Sequence, residues 1–167
     1  MVGVTKFKDM TDYYEKCLVQ GEKYQEFVSK ICLEVQELRI DVYKKKQEQY
    51  NIGESRQGYE IKNDDRYKET KNIYIEIAEK TNENNSEYIN SGIYRGDNSH
   101  TLIIGNYDVF YFFSIKQLRK IHKMKKKYFR EITTKTSKGF LLSQEQVDAY
   151  CLYRIEKKDN KYKVNYI

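Results

Sequence analysis

The chain has 167 residues, 39% of them hydrophobic and 34% charged, with a net charge of +6. That length fits one domain, residues 1–167, with a core of its own, and is short for two. Three widely spaced cysteines, two histidines and no run near the ~18 apolar residues of a membrane span argue against a zinc site, a disulfide framework or a spanning helix.

The opening segment MVGVTKFKDMTDYYEK lacks an apolar core followed by a cleavage pattern, so the expected compartment is the reducing cytoplasm. Thr11 and Asp12 offer an N-cap for a first helix, and Gly21 reads as a break before a second one. That second helix turns Tyr24, Phe27, Val28, Ile31, Cys32 and Val35 toward the core and leaves Glu22, Glu26 and Lys30 outside. Leu38, Ile40 and Val42 alternate with Arg39 and Asp41, which predicts a strand over 38–43; the polar KKKQEQYNIGESRQ that follows reads as a loop.

Residues 58–80, GYEIKNDDRYKETKNIYIEIAEK, predict two strands. Tyr59 and Ile61 alternate with Glu60, Lys62 and Asp64 in the first; Ile73, Ile75 and Ile77 alternate with Tyr74, Glu76 and Ala78 in the second. The expectation is that they pair with each other. The Asn-, Ser- and Gly-rich stretch after them has loop composition around a short helix near 86–90. Thr101–Ile104 and Asp108–Ser114 flank GNYD as a hairpin, with Phe110, Phe112 and Phe113 in the core.

A helix then starts near Ile115. Between Lys116 and Arg130 the chain carries Lys116, Arg119, Lys120, Lys123, Lys125, Lys126, Lys127 and Arg130 with no acidic residue, a surface that phosphates recognise or a plain solvated face. Ser143 with Gln146 resembles a capping box for a short helix, and the last residues form a hairpin turning at Asp159-Asn160. The sum is an α/β chain in the mixed α+β sense, a sheet flanked by helices.

Paired strands would let Asp64 and Glu76 converge on a divalent cation with Lys62 beside them, a set suited to phosphodiester hydrolysis, since hard cations take oxygen ligands. Lys62 can orient water or offset developing negative charge. The plain alternative is an exposed hairpin with cross-strand ion pairs. His100 and His122 have no nucleophile or carboxylate pattern around them.

Over roughly residues 20 to 120 the sequence resembles the PD-(D/E)xK nuclease superfamily, the restriction-endonuclease-like proteins that include restriction enzymes, Holliday-junction resolvases and phage nucleases. GEKYQEFV resembles the opening helix whose glutamate joins the metal site, here Glu26; GYEIKND resembles the strand ending in the motif aspartate, here Asp64; NIYIEIAEK resembles the E-x-K strand, here Glu76. Ala78 stands where the motif lysine belongs, with Lys62 the favoured replacement and Lys80 the other; Asp65 can stand in for Asp64 if the strand bulges.

The resemblance implies a central mixed sheet flanked by helices and a Mg²⁺-dependent DNA endonuclease, with Mn²⁺ as substitute. Asp64, Glu76 and Glu26 would bind metal and Lys62 would position the nucleophile. Double-stranded DNA would be held by Lys116, Arg119, Lys120, Lys123, Lys126 and Arg95, the last in the loop with Tyr94 and Asn98. Family members often dimerise. A nucleic-acid-binding module that kept the fold and lost catalysis is the alternative.

Overall fold

A computed structural model describes the backbone of residues 4–166 and the side chains of residues 18–166. The fold is mixed α+β, with strands divided between a five-stranded and a four-stranded sheet. In chain order the elements are α1 (Val4–Gln36), α2 (Lys46–Asn51), β1 (Tyr59–Asn63), α3 (Tyr67–Thr70), β2 (Asn72–Glu79), β3 (Ile89–Asn90), β4 (Thr101–Gly105), β5 (Val109–Ser114), α4 (Ile115–Lys125), β6 (Arg130–Thr133), β7 (Ser137–Ser143), α5 (Gln144–Tyr150), β8 (Tyr153–Lys158) and β9 (Lys161–Tyr166).

The five-stranded sheet has the order β1-β4-β5-β8-β9, with β1 parallel to β4 and every other pair antiparallel. Alternation along its strands gives it two different faces. Ile61, Ile103, Phe110, Phe112 and Ile155 pack against Tyr24, Val28, Ile31 and Cys32 of α1. Leu102, Ile104, Tyr111 and Phe113 face the other way, into a second cluster with Ile73 and Ile75 of β2, Phe140 and Leu142 of β7, and Leu118 of α4. Burying a side chain of this size contributes about 1.5–3 kcal/mol.

The four-stranded sheet, β3-β2-β7-β6, is antiparallel throughout. Here the first correction arises: the strands around Lys62 and Glu76 do not pair with each other. β1 pairs with β4 and β2 with β3 and β7, so the two strands belong to different sheets. Alternation fixes which side chains share a face and carries no information about which strand lies alongside.

Other expectations shift as well. α1 continues through Gly21, where nothing lies within 4 Å of an added Cβ, because one glycine costs a long helix only about 1 kcal/mol. Thr11 and Asp12 therefore lie inside the helix; their side chains, and those of Tyr14 and Cys17, fall outside the described residues. Residues 38–43 make a single bridge, Val42 to Ser55, in place of a strand. Part of the expected loop after them coils into α2, and the segment at 86–90 ends in the short β3 instead of a helix.

The hairpin β4–β5, the basic α4 and the terminal hairpin match their sequence signals. Asp159 and Asn160 take positive φ (51° and 60°), as a two-residue turn demands. Ser143 and Gln146 form the capping box of α5. The outer edge of β1 is closed by a loop instead of a strand: Tyr59 N–H donates to Ser55 Oγ (2.7 Å) and Ile61 N–H to Glu54 Oε2 (2.8 Å).

Candidate active site

A cleft of about 730 Å³ opens where the outer face of the four-stranded sheet meets the β1 side of the five-stranded one. Glu60, Lys62, Asp64, Leu102 and Ile104 line it from one side; Tyr74, Glu76, Arg130, Ile132 and Leu141 line it from the other. Asp64 and Glu76 thus share a cavity although their strands do not pair.

Asp64 follows the last residue of β1 and ties the two sheets together. Its Oδ1 accepts the Tyr67 N–H (3.2 Å) at the start of α3, and its Oδ2 accepts the Tyr74 N–H (3.3 Å) of β2. Burial pushes its carboxyl above the ordinary range, and these backbone donors pull it back. Glu76 lies two residues beyond Tyr74 on the same face, on the order of 7 Å along the strand.

The backbone at Glu76 is irregular. Glu76 pairs with Gly139 and Ala78 with Lys138, so Ile77 is the extra residue of a β-bulge. Bulges re-aim side chains and recur next to active sites. Gly92, at φ 49°, sits so close that a Cβ would collide with the Glu76 carbonyl; on the other side, a Cβ at Gly139 would collide with the Ile75 carbonyl. Hydroxyls hold the carboxylate: Ser91 Oγ donates to Oε1 (2.7 Å) and Ser137 Oγ to Oε2 (2.9 Å). With its proton committed there, Ser137 accepts from the Tyr74 hydroxyl at 2.6 Å. Ser91, Gly92, Ser137 and Gly139 escape sequence reasoning; the only signal is that Ser137 and Gly139 are small residues within a strand.

Lys62 lies between two buried carboxylates, 2.6 Å from Glu54 Oε1 and 3.4 Å from Glu60 Oε1. Burial works against its charge, yet Glu54 and Glu60 outweigh it and raise the ammonium's pKa, with Glu76 adding to the pull. Burial also raises the Glu60 carboxyl, against the opposing Lys62 charge. Glu54 holds more than the lysine, since its Oε2 also takes the Gln25 amide (3.1 Å).

The remaining candidates lie elsewhere. Glu26 is exposed on α1, which covers the opposite face of the five-stranded sheet. Asp65 is exposed and accepts the Asn63 amide at 3.0 Å. Lys80 follows the end of β2 and stacks, with Lys138, on the Tyr88 ring. Arg95 is committed to the carbonyls of Gln49 (2.6 Å) and Tyr50 (3.0 Å) and to Asp97, while Arg119 is held by the carbonyls of Ile93 and Arg95. Lys126 pairs with Glu131 at 3.1 Å. Lys116, Lys120 and Lys123 are exposed along a shallow groove on α4. His100 bonds Gln57 and Thr101, and His122 is stacked on Phe140, bonded to Tyr94.

Among the described residues no three His, Cys, Asp or Glu side chains form a metal-holding cluster. Asp64 and Glu76 nonetheless suit a hard cation. Their four oxygens accept few hydrogen bonds and keep acceptor capacity, and Mg²⁺ is commonly held by one or two carboxylates with waters and phosphate oxygens.

The chain matches no family model, no curated protein and no solved structure.

Proposed function

We propose that the chain is a metal-dependent nuclease that hydrolyses phosphodiester bonds of DNA, with its active site in the cleft. The observation that carries this reading is the meeting of Asp64 and Glu76, from two different sheets, in a cavity that also holds Lys62. A bound Mg²⁺ or Mn²⁺ would supply an activated water and charge stabilisation on the phosphate. Asp64 and Glu76 would hold it, and the serine hydroxyls on Glu76 would fix that carboxylate's orientation. Lys62, half exposed between Glu54 and Glu60, offers a fixed positive charge to the phosphate. Glu26 has no part in this version of the site. The free thiols Cys32 and Cys151 fit a reducing cytoplasm as its place of work.

The test is cleavage of plasmid and of single-stranded DNA with Mg²⁺ or Mn²⁺, comparing the parent with Asp64→Asn and Glu76→Gln. Asparagine at Asp64 keeps an acceptor for one of the two backbone N–H groups, whereas alanine strips both. Both variants are expected to lose cleavage by at least ~100-fold while remaining folded, with Asp64→Asn melting below the parent because one backbone N–H loses its acceptor. Cleavage that persists in both sinks the assignment.

One observation favours a second reading, a nucleic-acid-binding module without catalysis. Ala78 stands in the motif lysine's place, and the Lys62 ammonium is already engaged by two carboxylates. Salt-sensitive retention of DNA with no cleavage in either metal would support it.

A further inference from the structure

Tyr74 has no part in the hydrolysis proposed above, yet its ring occupies the cleft wall. In the register of β2, β7 and β6, Tyr74, Leu141 and Arg130 are successive cross-strand partners, and Glu76, Gly139 and Ile132 form the next row of that face. A Cβ at Gly139 would sit 2.5 Å from Tyr74 Cζ and 2.6 Å from Cε2. The ring therefore takes the place of the side chain that Gly139 lacks and lies along the sheet. Its hydroxyl is fastened to Ser137, which fixes that orientation. A flat, anchored, half-buried aromatic ring one row from a candidate metal-binding carboxylate is a stacking platform.

The surroundings complete such a site. Ile93, Leu102, Ile104 and Leu141 give the cleft an apolar lining next to the carboxylates. Arg66, in the turn after β1, and Arg130, at the start of β6, line it from opposite sides, and both are exposed. The arginine ion pairs among the described residues belong to Arg39, Arg95 and Arg154, which leaves Arg66 and Arg130 without one, although the Arg66 charge is felt by Asp64. Guanidinium forks match phosphate.

Size then selects the substrate. A cavity of about 730 Å³ is of small-ligand size, within the usual range of ~300–1,000 Å³, and holds a nucleotide or two. A base that stacks on Tyr74 must leave its own pair to do so; enzymes that reach a base in such a pocket act on single strands or draw a nucleotide out of the stack.

We infer that the cleft binds an unpaired nucleotide chain, with one base stacked on Tyr74 and the neighbouring phosphates on Arg66 and Arg130. This specificity rests on the nuclease reading for its purpose but can be measured without it. The experiment is fluorescence anisotropy in EDTA, with short labelled single strands of DNA and of RNA and the same DNA sequence closed into a hairpin duplex. At least one single strand is expected to bind about tenfold more tightly than the hairpin, and the two single-strand arms tell which sugar is accepted. Tyr74→Leu should cost about tenfold on the single strand and leave the hairpin unchanged, whereas Tyr74→Phe keeps the ring and the preference. Arg66→Gln and Arg130→Gln should each flatten the salt dependence of single-strand binding by about 0.7 in slope.

Equal or tighter binding of the hairpin overturns the inference, as does a natively melting Tyr74→Leu variant that keeps the preference. Unchanged salt slopes in both arginine variants overturn it too, whatever Tyr74→Leu does to folding. Single-strand binding without metal-dependent cleavage sinks the nuclease reading and leaves this one standing; failure to bind any of the probes in EDTA overturns this inference alone, since the nuclease reading stands or falls on metal-dependent cleavage.

Discussion

Lys62, proposed above for chemistry, also answers to stability. It is 44% exposed while the Glu54 and Glu60 side chains beside it are 8% and 5% exposed, so it neutralises two carboxylates that water barely reaches. Removing one partner of a fully buried pair costs about 3–5 kcal/mol; with the lysine this exposed, about 1–3 kcal/mol is the fitting range. Lys62→Met is therefore expected to lower Tm at pH 8 by several degrees. The loss should shrink toward pH 5, and Glu60→Gln added to it should restore part of the loss. The sign follows from Glu60, whose native pKa is raised above its ordinary 4.5 by burial. The folded state then binds that proton more tightly than the unfolded one, a contribution fully present below the ordinary pKa and lost as pH rises through the native value. Without Lys62 this dependence steepens. Thermal melts of the single and double variants across that range check it, and a pH-independent loss would contradict it.

At the scale of elements, α1 offers a cleaner perturbation. Gly21 interrupts the helix only on paper, and the space around its Cα is open. Gly21→Ala is expected to stabilise by about 0.5–1 kcal/mol, or roughly 2–3 °C in Tm, through the smaller entropy lost on folding. A lower Tm would show that something occupies the space. The same helix marks what sequence could and could not reveal. Tyr24, Val28, Ile31 and Cys32 recur at helical spacing and are the residues that α1 buries. The alternation in β1 and β2 likewise assigned Ile61, Ile73 and Ile75 to the core. Partnership was illegible, because β1 finds β4 only after β2 and β3 have left for another sheet. The site was half legible for the same reason. Asp64, Glu76 and Lys62 carry a chemical signature, whereas Ser91, Ser137, Gly92 and Gly139 matter only through the bulge they surround, and a bulge has no composition of its own.

At the scale of the whole molecule, cations of a chain with net charge +6 line two separate places. Lys116, Lys120 and Lys123 lie on α4, while the cations lining the cleft are Lys62, Arg66 and Arg130. The α4 lysines should supply nonspecific attraction. Replacing all three with Gln is expected to lower the salt slope of duplex binding by about 2.7 and to leave single-strand preference intact. Salt titrations of hairpin binding by this variant check it; an unchanged slope would mean that α4 faces no phosphate. One further property follows from how the five-stranded sheet ends. On one side the backbone donors of β1 are already taken by Ser55 and Glu54; on the other, β9 presents Lys161 and Lys163. An edge closed by side chains and an edge studded with ammonium groups both refuse a neighbouring strand. The five-stranded sheet therefore gives two copies of this chain at high concentration no rim along which to extend into a fibre, which leaves the edges β3 and β6 of the other sheet as the strands open to pairing.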